Sequence, residues 1–213
     1  MSGSQRYPWL HAALAGQGLV ITSSRRLARE LRQAFDAQQS AAGLLAWPSA
    51  NVFFWQDWLQ RLLDEQLQSD APVLLDGPAS VLLWEQSLDA AVKTDLLSPT
   101  SLVREARRAW QRVQEWRISL EQLGKSAMSR DEHWFARAAL DYQHQLDAGN
   151  WLDQAQLACY CAAAIRQRAV TVPPRVAHAG FDRPSPALAV LLAALQESGS
   201  KLSAAPLPMR NAA

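Results

Sequence analysis

The run Leu19-Val20-Ile21-Thr22-Ser23-Ser24-Arg25-Arg26-Leu27-Ala28-Arg29-Glu30-Leu31-Arg32-Gln33-Ala34-Phe35 constrains the fold more than any other stretch. A short β-branched segment ends in three hydroxyl residues and passes directly into a helical pattern, with Leu27, Leu31, Ala34 and Phe35 at i, i+4, i+7 and i+8. The spacing predicts a strand, a turn and a helix, with Ser23 or Ser24 as N-cap. The positive end of the helix dipole then lies above the carboxyl end of the strand. Arg25, Arg29 and Arg32 share one helical face that Asp36 completes. That row is either the solvated face of a crossover helix or a phosphate-contacting element.

Downstream, Ala46 to Leu63 reads as a short extended piece feeding a helix whose stripe is Trp55, Trp58, Leu59, Leu62 and Leu63. From about Asp70 the strand signals stop. Four helical segments are expected: Pro78 to Ala91; Pro99 to Trp116 behind Ser98; Arg130 to Ala148 behind Ser129; and Leu152 to Arg168. Ser129 with Glu132 fits a capping box, and Gly149 fits a helix stop. The α/β pattern returns with a strand over Arg175 to Gly180, a helix over Pro184 to Ser198 and a strand start at Lys201 to Ala204. The expected organisation is the first part of an α/β domain over 1–69, a helical insert over 70–169, and the second part of the α/β domain over 170–213. The tail reads as cut short after its last strand.

The 213 residues can bury one core or two small ones, and 49% hydrophobic with 19% charged residues is an ordinary globular balance. A net charge of +1 gives no global attraction to nucleic acid, so any such contact requires local clustering. Nearly all the positive charge is Arg, since Lys occurs only at Lys93, Lys125 and Lys201. Cys159 and Cys161 lie in an apolar helical pattern and read as buried thiols in a reducing compartment. With no signal peptide and no membrane span, the chain is expected to be cytoplasmic with no membrane partner.

Several chemistries lack their residues. A phosphate loop needs an earlier glycine five positions before its Gly-Lys-Ser, and at Gly124-Lys125-Ser126 that position is Ser119. A PD-(D/E)xK nuclease needs an acid two residues before a lysine, where this chain has Ala91, Leu123 and Gly199. No Gly-x-Ser-x-Gly elbow occurs. His133 and His144 read as solvated or capping residues and His178 as a buried strand histidine. Of the nine tryptophans, most fall on apolar stripes and read as core. Trp110 and Trp116 share a helix with Arg104, Arg107, Arg108 and Arg112, a pattern on which single-stranded nucleic acid can stack.

The ordered set Val20 to Ala28, Ala46-Trp47-Pro48-Ser49, Trp55-Gln56-Asp57-Trp58-Leu59, Leu83-Trp84-Glu85-Gln86, Glu115-Trp116-Arg117, Gly149 to Asp153 and Ala179 to Pro186 resembles the start of the AddB-like bacterial putative DNA repair proteins. Members pair a superfamily 1 helicase-like half with a PD-(D/E)xK nuclease domain. The resemblance implies a parallel-sheet RecA-like (P-loop NTPase-like) core without a functional Walker A, carrying a mostly helical insert. It makes Thr22 to Phe35 similar to helicase motif Ia, with Thr22, Ser23, Ser24, Arg25, Arg26 and Arg29 as candidate DNA contacts. Asp182 would be the remnant of a degenerate motif II. The implied role is non-catalytic, with no cofactor and no metal in this chain. It would guide single-stranded DNA or a duplex end and scaffold downstream helicase-like and nuclease domains, beside a partner helicase subunit. The nuclease activity would belong to the full-length parent. The alternative is a structural protein-interaction module without DNA contact. A third reading keeps nucleotide binding with a lysine borrowed from elsewhere.

Overall fold

A computed structural model describes residues 6–67, 71–91 and 99–207. The chain divides into two compact units, the first made of 1–68, 161–184 and 190–213, the second of 69–160 and 185–189. The division returns to the first unit at Cys161, inside the stretch expected from sequence as the 70–169 insert, and gives Ser185–Ala189 to the second unit.

The first unit opens with α1 (Leu10–Leu14), β1 (Leu19–Thr22) and α2 (Arg25–Ala41), then β2 (Val52–Phe54) and α3 (Trp55–Gln66). β1 is buried at all four positions. It pairs in parallel with β2 on one side and with β5 (Arg175–Ala179) on the other. β6 (Lys201–Ala205) adds in parallel beyond β5, so the four-stranded sheet has the order β2-β1-β5-β6. A parallel strand inside such a sheet has both faces covered, which is why Leu19-Val20-Ile21 reads as a continuous apolar run without alternation. Val20, Val52, Ala177 and Ala179 point to one face, where they pack with Leu10 of α1 and with Ala28 and Leu31 of α2. Leu19, Ile21 and Val176 point to the other face and are equally buried. On α3, Trp58, Leu59, Leu62 and Leu63 are buried as their spacing predicts, and Trp55 is half-buried.

The second unit holds β3 (Val73–Leu74), α4 (Gly77–Ala91), α5 (Pro99–Trp116), α6 (Leu120–Ser126), α7 (Arg130–Ala148) and β4 (Trp151–Leu152). The expected cap Ser98 lies outside the described residues. Trp84 stands at the centre of the core, its ring 4.3 Å from Tyr142, 5.9 Å from Trp110 and 6.2 Å from Phe135. Beneath the stack, the Tyr142 hydroxyl donates to the Asp153 carboxylate at 2.7 Å and lies 3.1 Å from the Ser80 hydroxyl. Burial and the adjacent carboxylate both push the Tyr142 pKa upward. The Ser129–Glu132 capping box forms as expected, and the backbone N–H groups of Ser129 and Met128 hold the Glu132 carboxyl below its ordinary range.

Three expectations change. Between 70 and 168 strands do exist: β3 and β4 pair in parallel, but two residues each are too few to show a period. The helix expected from Leu152 begins only at Leu157 as α8 (Leu157–Arg166), because Leu152 belongs to β4 and Asp153 caps a short 3-10 turn over Gln154–Gln156. Gly149 does stop α7 but in right-handed backbone, φ −87°. The left-handed residue is Asn150, φ 50°. A Cβ at Gly149 would lie 2.4 Å from the Trp151 ring, so close approach, not conformation, demands glycine there.

After β5, α9 (Pro186–Glu197) leads into β6, with Gly199 at φ 98° closing the helix as expected. Its leucines Leu188, Leu191, Leu192 and Leu195 are all buried.

Candidate functional site

The chain leaves β1 through α2 toward β2 on one side, and leaves β5 through α9 toward β6 on the other. The carboxyl ends of β1 and β5 therefore flank the point where strand order reverses. In open parallel sheets, the crevice outside that point is where ligands bind.

Two turns meet at this edge. The Ser23 N–H donates to the Ala179 carbonyl at 3.1 Å, extending the β1–β5 pairing by one residue. Gly180 follows β5 at φ 81°, and a Cβ there would lie 2.5 Å from Ser23 Oγ and 2.7 Å from Leu27 Cδ2. Only glycine fits both the backbone and the space. Ser24 is the N-cap, and its Oγ accepts the Leu27 N–H at 3.2 Å. The first turn of α2 contains no acidic residue, so nothing within it offsets the positive end of its dipole.

The candidate residues separate at this site. Thr22 is fully buried, with its hydroxyl 2.9 Å from the Ser24 carbonyl and 3.1 Å from the Phe53 carbonyl, donating to them. It positions the turn from below and offers no surface to a ligand, which corrects the expectation that it faces DNA. Arg25 donates from Nε and Nη2 to both oxygens of Asp57 at 3.0 and 2.6 Å, and its guanidinium lies 5.1 Å from the Phe54 ring centre. Asp57 raises the Arg25 pKa. The fork that a phosphate would use is thus filled by a carboxylate from α3. Ser23 is half-buried, and Ser24, Arg26 and Arg29 are exposed. Arg26 and Arg29 form no ion pair among the described residues. Asp182 is exposed two residues beyond Gly180, on the facing loop. Asp36, which completes the arginine row, accepts the Trp47 Nε1–H at 2.7 Å.

Sequence reasoning missed the Asp57 partnership and the packing of Gly180 on Ser23. Asp57 stood in the Trp55 to Leu59 run, but its pairing joins residues 32 apart. Gly124-Lys125-Ser126 lies at the end of α6, with Lys125 paired to Glu121, so it wraps no phosphate-binding turn. Among the described residues, no group of three or more His, Cys, Asp and Glu side chains is placed to hold a metal ion. No helix among them is long and apolar enough to cross a membrane. His133 Nδ1 lies 2.8 Å from the Ser129 carbonyl, within the α7 cap. Cys161 is buried, with its thiol pushed up to about 12.

The fold and this edge define an α/β protein with a parallel central sheet and a cationic strand-to-helix turn at its topological switch point. Searches with known protein families and with curated proteins find no match to this sequence.

Proposed function

We propose that this chain is a non-catalytic, helicase-like region that guides DNA along the carboxyl edge of its sheet and scaffolds nuclease and helicase-like domains of a longer DNA repair protein. The α/β class with parallel strands is compatible with the RecA-like core that the sequence resemblance implies. The observation that carries the reading is the exposed pair Arg26 and Arg29 on the first turns of α2, beside the serine cap of a helix whose own first turn holds no acidic residue. Backbone N–H groups and unpaired guanidinium groups suit phosphate oxygens and read no base sequence.

The test is a titration of labelled single-stranded DNA and duplex DNA at low and moderate salt, comparing the chain with an Arg26→Ala/Arg29→Ala variant. Arg25 is left intact because its loss would also break the Asp57 pair. Expected is salt-sensitive binding whose log–log slope falls by about 0.7 to 0.9 for each phosphate contact removed. An unchanged slope and affinity in the variant would sink the assignment of this turn.

The Arg25–Asp57 pair and the net charge of +1 favour a second reading, a protein-interaction module without nucleic-acid contact. Absence of DNA binding at low salt would select it.

A further inference from the structure

α5 sorts its two tryptophans in opposite directions. Trp110 is 1% exposed and packs with Val103, Ala106 and the Trp84 ring, whereas Trp116 at the end of the helix is 62% exposed. Single exposed indoles are common on proteins, so exposure alone assigns nothing. What distinguishes Trp116 is its row: Arg104, Arg108 and Arg112 are exposed and precede it at intervals of four residues, one per turn and about 6 Å of rise apart. Arg117 follows at φ 55° and is also exposed.

The charge is concentrated here. Residues 99–117 hold five arginines against two glutamates, a net of +3 in a chain whose total is +1. Glu105 accepts from Arg108 at 2.9 Å and lies 3.8 Å from Arg104. Glu115 accepts from Gln111. Arg112 and Arg117, the two cations flanking Trp116, form no ion pair among the described residues.

We infer that Trp116 is a stacking platform for an unpaired base of a single-stranded nucleic acid, with Arg112 and Arg117 neutralising the flanking phosphates. The inference rests on the nucleic-acid reading above and adds to it the strand type. An indole can stack only on a base whose face is not covered by a stacked neighbour, as a flexible single strand offers along its length and the interior of a duplex does not, whereas phosphates are offered by single strands and duplexes alike. The stacking term therefore confers preference for single strands, and the arginine term confers salt dependence.

The experiment is fluorescence anisotropy of a labelled oligodeoxythymidylate and of a blunt duplex, using the whole chain, Trp116→Ala, Trp116→Phe, Arg112→Ala/Arg117→Ala and Arg26→Ala/Arg29→Ala. Trp116→Ala is expected to weaken single-strand binding about 5- to 150-fold, Trp116→Phe to retain most of the affinity, and duplex binding to stay unchanged in both. Arg112→Ala/Arg117→Ala is expected to lower the single-strand salt slope by about 1.4. Equal single-strand affinity for Trp116→Ala and the parent chain overturns the inference, as does equal loss on both probes. If binding falls in Arg26→Ala/Arg29→Ala but not in Trp116→Ala, the platform is wrong and the α2 reading stands. If the parent chain binds neither probe at low salt, both fall.

Discussion

His178 lies on β5 between Ile21 and Ala204, half-buried, with the Phe181 ring 6.2 Å away. Burial holds its pKa below the ordinary value of 6.5, so the unfolded chain binds this proton more readily than the folded one. The stability it contributes is full above about pH 6.5 and is lost as pH falls through the lower folded value. A His178→Gln variant is expected to show a flatter Tm profile than the parent between about pH 7 and 5. Parallel profiles in thermal melts would show that this histidine is not desolvated in the folded state. Its placement in a strand was legible from Arg175 to Gly180. At the same scale, Thr22 and Arg25 show what sequence hides: residue type announces hydrogen-bonding and charge, but not whether a partner elsewhere in the chain has already used them. The Thr22 hydroxyl is satisfied by a carbonyl on β2, and the Arg25 fork by a carboxylate on α3.

At the scale of elements, β1 and α2 meet β5 through Gly180, and that contact fixes the shape of the candidate site. Gly180→Ala would force a left-handed φ on a residue with a Cβ and press that Cβ on Ser23 and Leu27. The expected cost is about 2 kcal/mol, read as a lower urea midpoint with an unchanged m value. A loss below about 0.5 kcal/mol would mean the two turns separate freely. The strand–turn–helix unit was legible because a buried run, a serine cap and a 3.6-residue period are all local signals. The two-residue strands β3 and β4 were not, since each exists only through the other: the Val73 N–H donates to Asn150 and the Leu75 N–H to Leu152 across 77 residues. α6 was missed because Leu120 to Ser126 buries no residue, so its seven residues leave no apolar stripe to read.

On the scale of the whole molecule, each compact unit has its own core. That of the second rests on a polar foundation under its aromatic stack. Asp153 is 7% exposed and accepts from the Tyr142 hydroxyl and from the Ala155 N–H at 2.8 Å. Asp153→Ala would leave the Tyr142 hydroxyl and the Ala155 N–H without this acceptor. The expected loss is about 3 kcal/mol for this unit, seen in the near-ultraviolet dichroism of Trp84 and Trp110. Retention of the parent midpoint would show the network to be dispensable.

The sequence by itself determined the class, α/β with a long, mainly helical stretch inside it, a serine cap at Ser23 or Ser24, the Ser129 cap, and buried leucines on α9; the structure chose Ser24 and showed the strands to pair in parallel. The properties legible in sequence follow from local backbone preference and from the burial period of each segment, which a chain carries at every point along it. Only the tertiary structure decided which of six candidate residues reach the surface, which arginine is already paired, and which of two tryptophans on α5 faces out. Each of those outcomes depends on a partner tens of residues away, and no local pattern encodes where that partner will stand.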